Sequence, residues 1–66
     1  MKGVLSRGDT LIFRVNLRFY PEALAIKYFG KSFEKQADFL IFKKKSSDLS
    51  ESEIYEKFNG MLEEML

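Results

Sequence analysis

The chain of 66 residues contains no cysteine, no histidine and no tryptophan. Without cysteine there is no disulfide framework, and without histidine the commonest metal ligand and the commonest general base are missing. The carboxylates follow no calcium-loop pattern, and there is no glycine-rich phosphate loop. The sequence therefore predicts a protein that is not an enzyme and that uses neither a metal nor a cofactor.

Long apolar runs are also missing. The longest run covers residues 39–42, far below the roughly 20 apolar residues of a membrane-spanning helix. The first residues hold no apolar stretch long enough for a signal peptide. We therefore expect a cytoplasmic protein with no membrane partner. A single glutamine among many lysines and glutamates is typical of a thermophilic source.

The small size of the chain bounds its stability. There is room for one domain, residues 1–66, and a chain this short buries only about 60% of its unfolded surface. Small domains are usually reinforced by disulfides, a metal or association with another chain. Because the first two are not expected here, we predict a homodimer or a subunit held by a larger protein partner.

Two segments of the first half have clear periodic patterns. Residues 11–19 alternate between apolar and polar side chains and predict a strand with one buried face. Residues 3–5 predict a short strand that folds back on it through a turn at Gly8. Pro21 suits the first turn of a helix, which either ends at Gly30 or continues beyond it.

The second half predicts one strand and one helix. Residues 37–45 form a single strand whose apolar run suits a position covered on both faces. Ser50 and Glu53 match a capping box at the start of the last helix. Five residues give that helix one apolar stripe: Ile54, Phe58, Met61, Leu62 and Met65. Gly60, Glu63 and Glu64 are predicted on its solvent side.

The order of elements predicts an α/β (α+β) domain of the type β-α-β-α, with an extra N-terminal hairpin strand. A strand–helix–strand unit favours a parallel pair of strands joined by a right-handed crossover. No internal repeat is evident along the chain. So narrow a sheet does not stand easily alone.

The apolar centre of the second strand is the predicted surface for a partner or a dimer. It consists of Phe39, Leu40, Ile41 and Phe42. The chain has seven phenylalanines and three tyrosines, which is a heavy aromatic load for so small a frame. The alternative is that these side chains fill the core. A protein-interaction or accessory module is the leading functional hypothesis.

Charge is unevenly distributed along the chain. Residues 1–45 carry a net charge of +6 and residues 46–66 a net charge of −5. Five basic side chains would form a nucleic-acid-binding patch if the two main strands were adjacent: Arg14, Arg18, Lys43, Lys44 and Lys45. The favoured alternative is that these charges protect an exposed sheet edge from aggregation.

Three stretches carry a resemblance to a known family. They are residues 13–17 (FRVNL), residues 20–24 (YPEAL) followed by Tyr28 and Phe29, and residues 58–62 (FNGML). In these stretches the chain resembles the HxsD-type proteins of His-Xaa-Ser systems, small accessory proteins encoded beside radical SAM peptide-maturation enzymes. The resemblance implies an accessory role and no catalytic residue. It also implies a β-hairpin before the last helix, where only one strand is predicted here.

Overall fold

The computed structural model describes residues 3–66, which form two β-hairpins, each followed by a helix. The elements are β1 (Val4–Arg7), β2 (Thr10–Asn16), α1 (Glu22–Phe29), β3 (Glu34–Gln36), β4 (Phe39–Lys45) and α2 (Glu51–Met65). The predicted α+β class and the extra N-terminal hairpin strand are both confirmed. The predicted strand over residues 11–19 ends earlier, because residues 17–19 form a turn.

The four strands form one sheet in the order β1-β2-β4-β3, with every neighbouring pair antiparallel. In the central pair, Phe13 of β2 lies opposite Phe42 of β4. The predicted parallel pair of main strands is therefore wrong. The chain leaves α1 into β3 at the far edge of the sheet, and β4 then folds back between β3 and β2.

The second hairpin corrects a further expectation. A single strand was predicted between residues 37 and 45, but β3 precedes it and pairs with it. Strand β3 has only three residues, Glu-Lys-Gln, all exposed, so it shows no apolar alternation. The structure thus has a β-hairpin before the last helix.

In both hairpins, the first residue of the turn has left-handed backbone geometry. Gly8 has φ 61° and Ala37 has φ 51°. Glycine adopts this conformation freely, whereas an L-residue with a Cβ is strained there by roughly 1–2 kcal/mol.

Substituting glycine at the strained turn should stabilise the protein. We expect Ala37→Gly to raise the free energy of unfolding by about 0.5 kcal/mol, since the relief of strain is partly offset by the larger entropy of glycine in the unfolded chain. Gly8→Ala is the matched control and should lower it by a similar amount. Urea denaturation measures both. An unchanged or lower midpoint for Ala37→Gly would contradict the explanation.

Helices α1 and α2 cover one face of the sheet, and the core lies between the two layers. Eleven apolar side chains are buried there: Val4, Leu11, Phe13, Val15, Ala25, Phe29, Leu40, Phe42, Leu49, Ile54 and Met61. Phe33, Phe58 and Tyr20 pack against them. Much of the aromatic load therefore fills the core. The expectation that β4 is covered on both faces is wrong, because both helices lie on the same side.

The helix ends follow the predicted signals. Gly30 ends α1 and donates its backbone N–H to the carbonyl oxygen of Ile26 at 2.8 Å, so the helix does not continue past it. In α2 the capping box is confirmed: the Ser50 N–H donates to Glu53 Oε1 at 3.0 Å, and the Glu53 N–H donates to Ser50 Oγ at 3.3 Å. The bond from the Ser50 N–H to the carboxylate, followed by a hydrogen bond with the Ser50 side chain, lowers the pKa of Glu53.

The contact between the two helices corrects the expectations for Gly60 and Glu64. Gly60 faces Tyr28 of α1, and an added Cβ would lie 3.0 Å from Tyr28 Cε2. The Glu64 carboxylate accepts hydrogen bonds from Tyr28 Oη and, at 2.9 Å, from Lys27 Nζ. Neither residue simply faces solvent. The end of the predicted stripe, by contrast, is exposed at Leu62 and Met65.

The Glu64 contacts should make stability depend on pH. The bond from Tyr28, followed by the one from Lys27, holds the pKa of Glu64 below its usual value. The contribution is therefore present above the ordinary glutamate pKa and is lost as pH falls through the lower folded-state pKa. We expect Glu64→Gln to lower the urea midpoint at pH 7 and to converge with the wild type in acid. Glu56→Gln, at an exposed site, is the control. A gap that stays constant down to pH 2 would contradict this.

Candidate functional site

The site is built on the sheet face that points away from the helices. Side chains alternate across a strand, so the neighbours of the buried Phe13 and Phe42 point to this second face. Within residues 3–66 no other element covers it. We call it the open face. Its residues are Leu5, Arg7, Thr10, Ile12, Arg14, Asn16, Glu34, Gln36, Phe39, Ile41, Lys43 and Lys45.

Four apolar side chains on three strands form the middle of the open face. They are Leu5, Ile12, Phe39 and Ile41, and we call them the apolar centre. Leu5 pairs with Ile12 across β1 and β2, and its side chain is 66% exposed. The other three are partly exposed. An apolar area that no element of residues 3–66 covers is typical of a contact surface.

Basic side chains lie beside the apolar centre and at one end of it. Arg14 lies opposite Ile41, and Lys43 lies opposite Ile12. Arg7 and Lys45 flank Thr10 in the next row. None of these four forms an ion pair with an acidic residue of the described chain, whose ion pairs involve other cations. We call the four the basic border. The open face also holds one acidic residue, Glu34.

Arg14 joins the basic border to the apolar centre. Its guanidinium carbon lies 4.8 Å from the centroid of the Phe39 ring. This cation–π contact holds the charged group over the ring, and the Arg14 side chain stays exposed. Such stacked arginines are well suited to binding a carboxylate through two parallel hydrogen bonds.

A shallow groove lies at the β3 side of the open face. It encloses about 210 Å³ and is lined by Ser32, Phe33, Glu34, Ile41 and Lys43. Phe33 and Ile41 give the groove an apolar lining, and Ser32, Glu34 and Lys43 give it a polar one. The groove is open to solvent and gives a side chain of a partner a place to insert next to the apolar centre.

The structure brings together three of the five predicted nucleic-acid-binding residues. Arg14, Lys43 and Lys45 share the open face. Arg18 lies beyond the other end of β2, where its Nε is 3.2 Å from Asp38 Oδ2. Lys44 points to the helix side, with its Nζ 5.8 Å from the centroid of the Phe42 ring. The antiparallel pairing separates Arg18 from the lysines, because the end of β4 lies beside the start of β2.

The predicted partner surface is also divided by the alternation of β4. Phe39 and Ile41 lie on the open face, whereas Leu40 and Phe42 are fully buried beneath the helices. Leu5, Ile12 and Arg7 were missed. The alternation of β2 already contained a signal for Ile12, since this residue lies between the inward-facing Leu11 and Phe13.

Other apolar side chains are exposed away from the sheet. On α2, Tyr55 and Leu62 are seven residues apart and so lie on one side of the helix, with Met65 and Leu66 at its end. Phe19, in the turn after β2, is 72% exposed. Within residues 3–66, α2 carries a single basic residue, Lys57, so Tyr55 and Leu62 have no counterpart of the basic border on their helix. They provide matched controls for the open face.

Within residues 3–66 no three acidic side chains are close enough together to hold a metal ion. In the same part of the chain, no helix has the length and apolar character needed to cross a bilayer.

The fold and the open face define a two-layer α+β domain with one uncovered sheet surface. Comparisons of the chain with models of protein families, with curated proteins and with solved structures found no match. The resemblance to HxsD-type proteins therefore stays a prediction.

Proposed function

We propose that the chain is a non-enzymatic interaction module that holds an acidic protein partner on its open face. The observation that carries this proposal is the combination of an uncovered apolar centre and an unpaired basic border on the same three strands. Apolar burial supplies the affinity of such a contact, and complementary charge supplies its orientation and specificity. An accessory role beside a peptide-maturation enzyme, as the resemblance implies, is one form of this function.

Charge favours a different protein over a second copy of this chain on the open face. If two copies stacked face to face, the four cations of each would meet the four cations of the other, with only Glu34 to compensate. Like charges at a contact are destabilising. Half of the ten acidic residues of the chain lie on α2, in the opposite layer. A partner with its own acidic surface avoids this conflict.

The area of the open face indicates the strength of the contact. Four strands about 4.8 Å apart, with seven residues in each central strand and four and three residues in the outer strands, present roughly 350 Å². A standard interface buries about 800 Å² on each partner. We therefore expect a dissociable complex with a Kd in the micromolar range, unless the partner also contacts the loops around the sheet.

Capture with matched variants tests the proposal. The immobilised wild type, Ile41→Ser and Arg14→Glu are compared for the proteins that they retain from nuclease-treated extract of the source organism. Leu62→Ser controls for loss of an exposed apolar side chain, and Lys57→Glu for reversal of a basic charge on α2. Any captured protein is purified and titrated against all five chains by calorimetry.

We expect one acidic protein to bind the wild type and both controls with similar Kd. Ile41→Ser and Arg14→Glu should each weaken its binding at least tenfold. If the α2 controls weaken binding and the open-face variants do not, the partner uses α2 and the proposal is wrong. Circular dichroism of each variant shows that the fold is intact.

Nucleic-acid binding is the second candidate function, favoured by the alignment of Arg14, Lys43 and Lys45 on one face. It predicts binding that weakens steeply with salt, because each phosphate contact releases a counterion. Fluorescence anisotropy with labelled single- and double-stranded DNA and RNA tests it at low salt. Ile41→Ser separates the two functions, since it should leave a phosphate-based interaction nearly unchanged.

A further inference from the structure

The second half of the chain repeats the first half at an offset of 29 residues. Asp9, Leu11, Ile12 and Phe13 recur as Asp38, Leu40, Ile41 and Phe42, and the basic residue Arg14 recurs as Lys43. Further along, Glu22 and Phe29 recur as Glu51 and Phe58. The prediction that the chain has no internal repeat is therefore wrong. The repeat is hard to detect because the run of matched residues is short and the segments around it have diverged.

The structure follows the same offset. Strand β2, residues 10–16, corresponds to β4, residues 39–45, and both helices begin at the equivalent glutamate. The left-handed turn residues Gly8 and Ala37 are also equivalent. Only the last seven residues of α2 extend beyond the end of α1. We call residues 3–30 the first ββα unit and residues 32–66 the second.

The contacts between the two units are reciprocal. The Leu17 N–H donates to the carbonyl oxygen of Asp38 at 2.7 Å, and the equivalent Ser46 N–H donates to the carbonyl oxygen of Asp9 at 2.7 Å. In the register of β2 and β4, the equivalent residues Phe13 and Phe42 lie directly opposite each other. A pseudo-twofold axis normal to the sheet therefore passes between these two residues.

Two pairs of equivalent phenylalanines lie around this axis in the core. The Phe13 and Phe42 rings stack with their centroids 5.3 Å apart, and Phe29 and Phe58 are also 5.3 Å apart. Phe29 contacts Phe42 at 5.3 Å, and Phe58 contacts Phe13 at 6.2 Å. Each unit thus covers the aromatic residues of the other, which is the arrangement of an isologous dimer interface.

We infer that the chain is a tandem of two ββα units that bind each other as the subunits of a twofold dimer do, so that a second copy of the chain can supply either unit. A unit alone is shorter than the roughly 40 residues that a core needs without staples. Its stability comes from the opposite unit, to which it is connected through residues 30–33, between the end of α1 and the start of β3. Exchange of units between two chains rebuilds the same contacts. This partner uses the core, not the open face, and the inference is independent of the proposed function.

Complementation between two damaged full-length chains tests the inference. The first chain carries Phe13→Asp and Phe29→Asp, and the second carries Phe42→Asp and Phe58→Asp. A buried carboxylate is so unfavourable that each chain should be unfolded alone. When the two are mixed, the intact second unit of one chain meets the intact first unit of the other. Mixing is done at about 1 mM, similar to the effective concentration that a short linker provides.

The expected product is a heterodimer of twice the 7.7 kDa chain mass with about half of the helical circular dichroism per chain of the wild type. In amide spectra of the labelled first chain, residues 32–66 become dispersed and residues 3–30 do not, and the pattern reverses when the second chain is labelled. A mixture that stays unfolded overturns the inference.

Shortening the linker in the otherwise natural chain provides a second measurement. With Lys31 and Ser32 deleted, the two units of one chain cannot close on each other, so the variant should form a folded dimer by exchange. Insertion of Gly-Ser-Gly-Ser after Ser32 is the control and should not promote dimer formation. A deletion variant that is a folded monomer, or that is unfolded at about 1 mM, contradicts the inference.

Discussion

Replacing Phe42 with alanine is expected to lower the free energy of unfolding by about 3–5 kcal/mol. The Phe42 side chain is fully buried, and its ring lies within 5.6 Å of the ring centroids of Phe13, Phe29 and Phe33. Removing it leaves a cavity that these three rings line. Small domains have only about 5–15 kcal/mol of stability, so the variant should be close to its unfolding midpoint at room temperature.

Phe39→Ala is the matched control, because Phe39 lies on the same strand but on the open face. Its ring is partly exposed and contacts Arg14. We expect a loss of about 1 kcal/mol or less, since only part of its apolar surface is removed from water in the native state. Urea denaturation followed by circular dichroism measures both variants. Equal losses would show that the open face is covered and would contradict the description of the site.

The difference between these two phenylalanines also shows what the sequence could predict. In β2 the alternation of apolar and polar residues correctly predicts which side chains face the core. In β4 four apolar residues are consecutive, and such a run alone indicates burial on both sides. Only the position of the two helices on one side of the sheet shows that Phe39 and Ile41 are not covered.

The second hairpin could not be predicted from local signals. Strand β3 is three polar residues long, and its turn begins with Ala37, a residue that is uncommon in left-handed geometry. Without β3, a strand–helix–strand reading leads to a parallel pair of main strands. The antiparallel register then determines which basic residues belong to the site. It places Lys43 beside Ile12 and leaves Arg18 beyond the other end of β2.

The internal repeat, by contrast, was present in the sequence and would have predicted the second hairpin. Aligning Asp9 with Asp38 places residues 34–36 against the end of β1 and Ala37 against the turn glycine. Two of the retained pairs, Phe13 with Phe42 and Phe29 with Phe58, lie at the pseudo-twofold axis, where each ring packs against its own equivalent.

At Gly60, where the two helices are in contact, helix propensity alone predicts the wrong sign for the effect of a substitution on stability. Leucine favours a helix interior over glycine by nearly 1 kcal/mol, so Gly60→Leu would stabilise α2 if position 60 faced solvent. In the structure, an added Cβ would lie 3.0 Å from Tyr28 Cε2 and 3.1 Å from Tyr28 Oη. The larger side chain must therefore push the Tyr28 ring away.

We accordingly expect Gly60→Leu to lower the free energy of unfolding by about 1–3 kcal/mol, the usual cost of overpacking. Moving the ring also removes the hydrogen bond from Tyr28 to Glu64. In a Tyr28→Ala background the obstacle is gone, and the same substitution should instead raise stability by about 1 kcal/mol. Urea denaturation of the four chains of this double-mutant cycle measures the change of sign. If Gly60→Leu has the same effect in both backgrounds, Tyr28 does not determine the need for glycine, and the close packing of α1 on α2 is not what limits position 60.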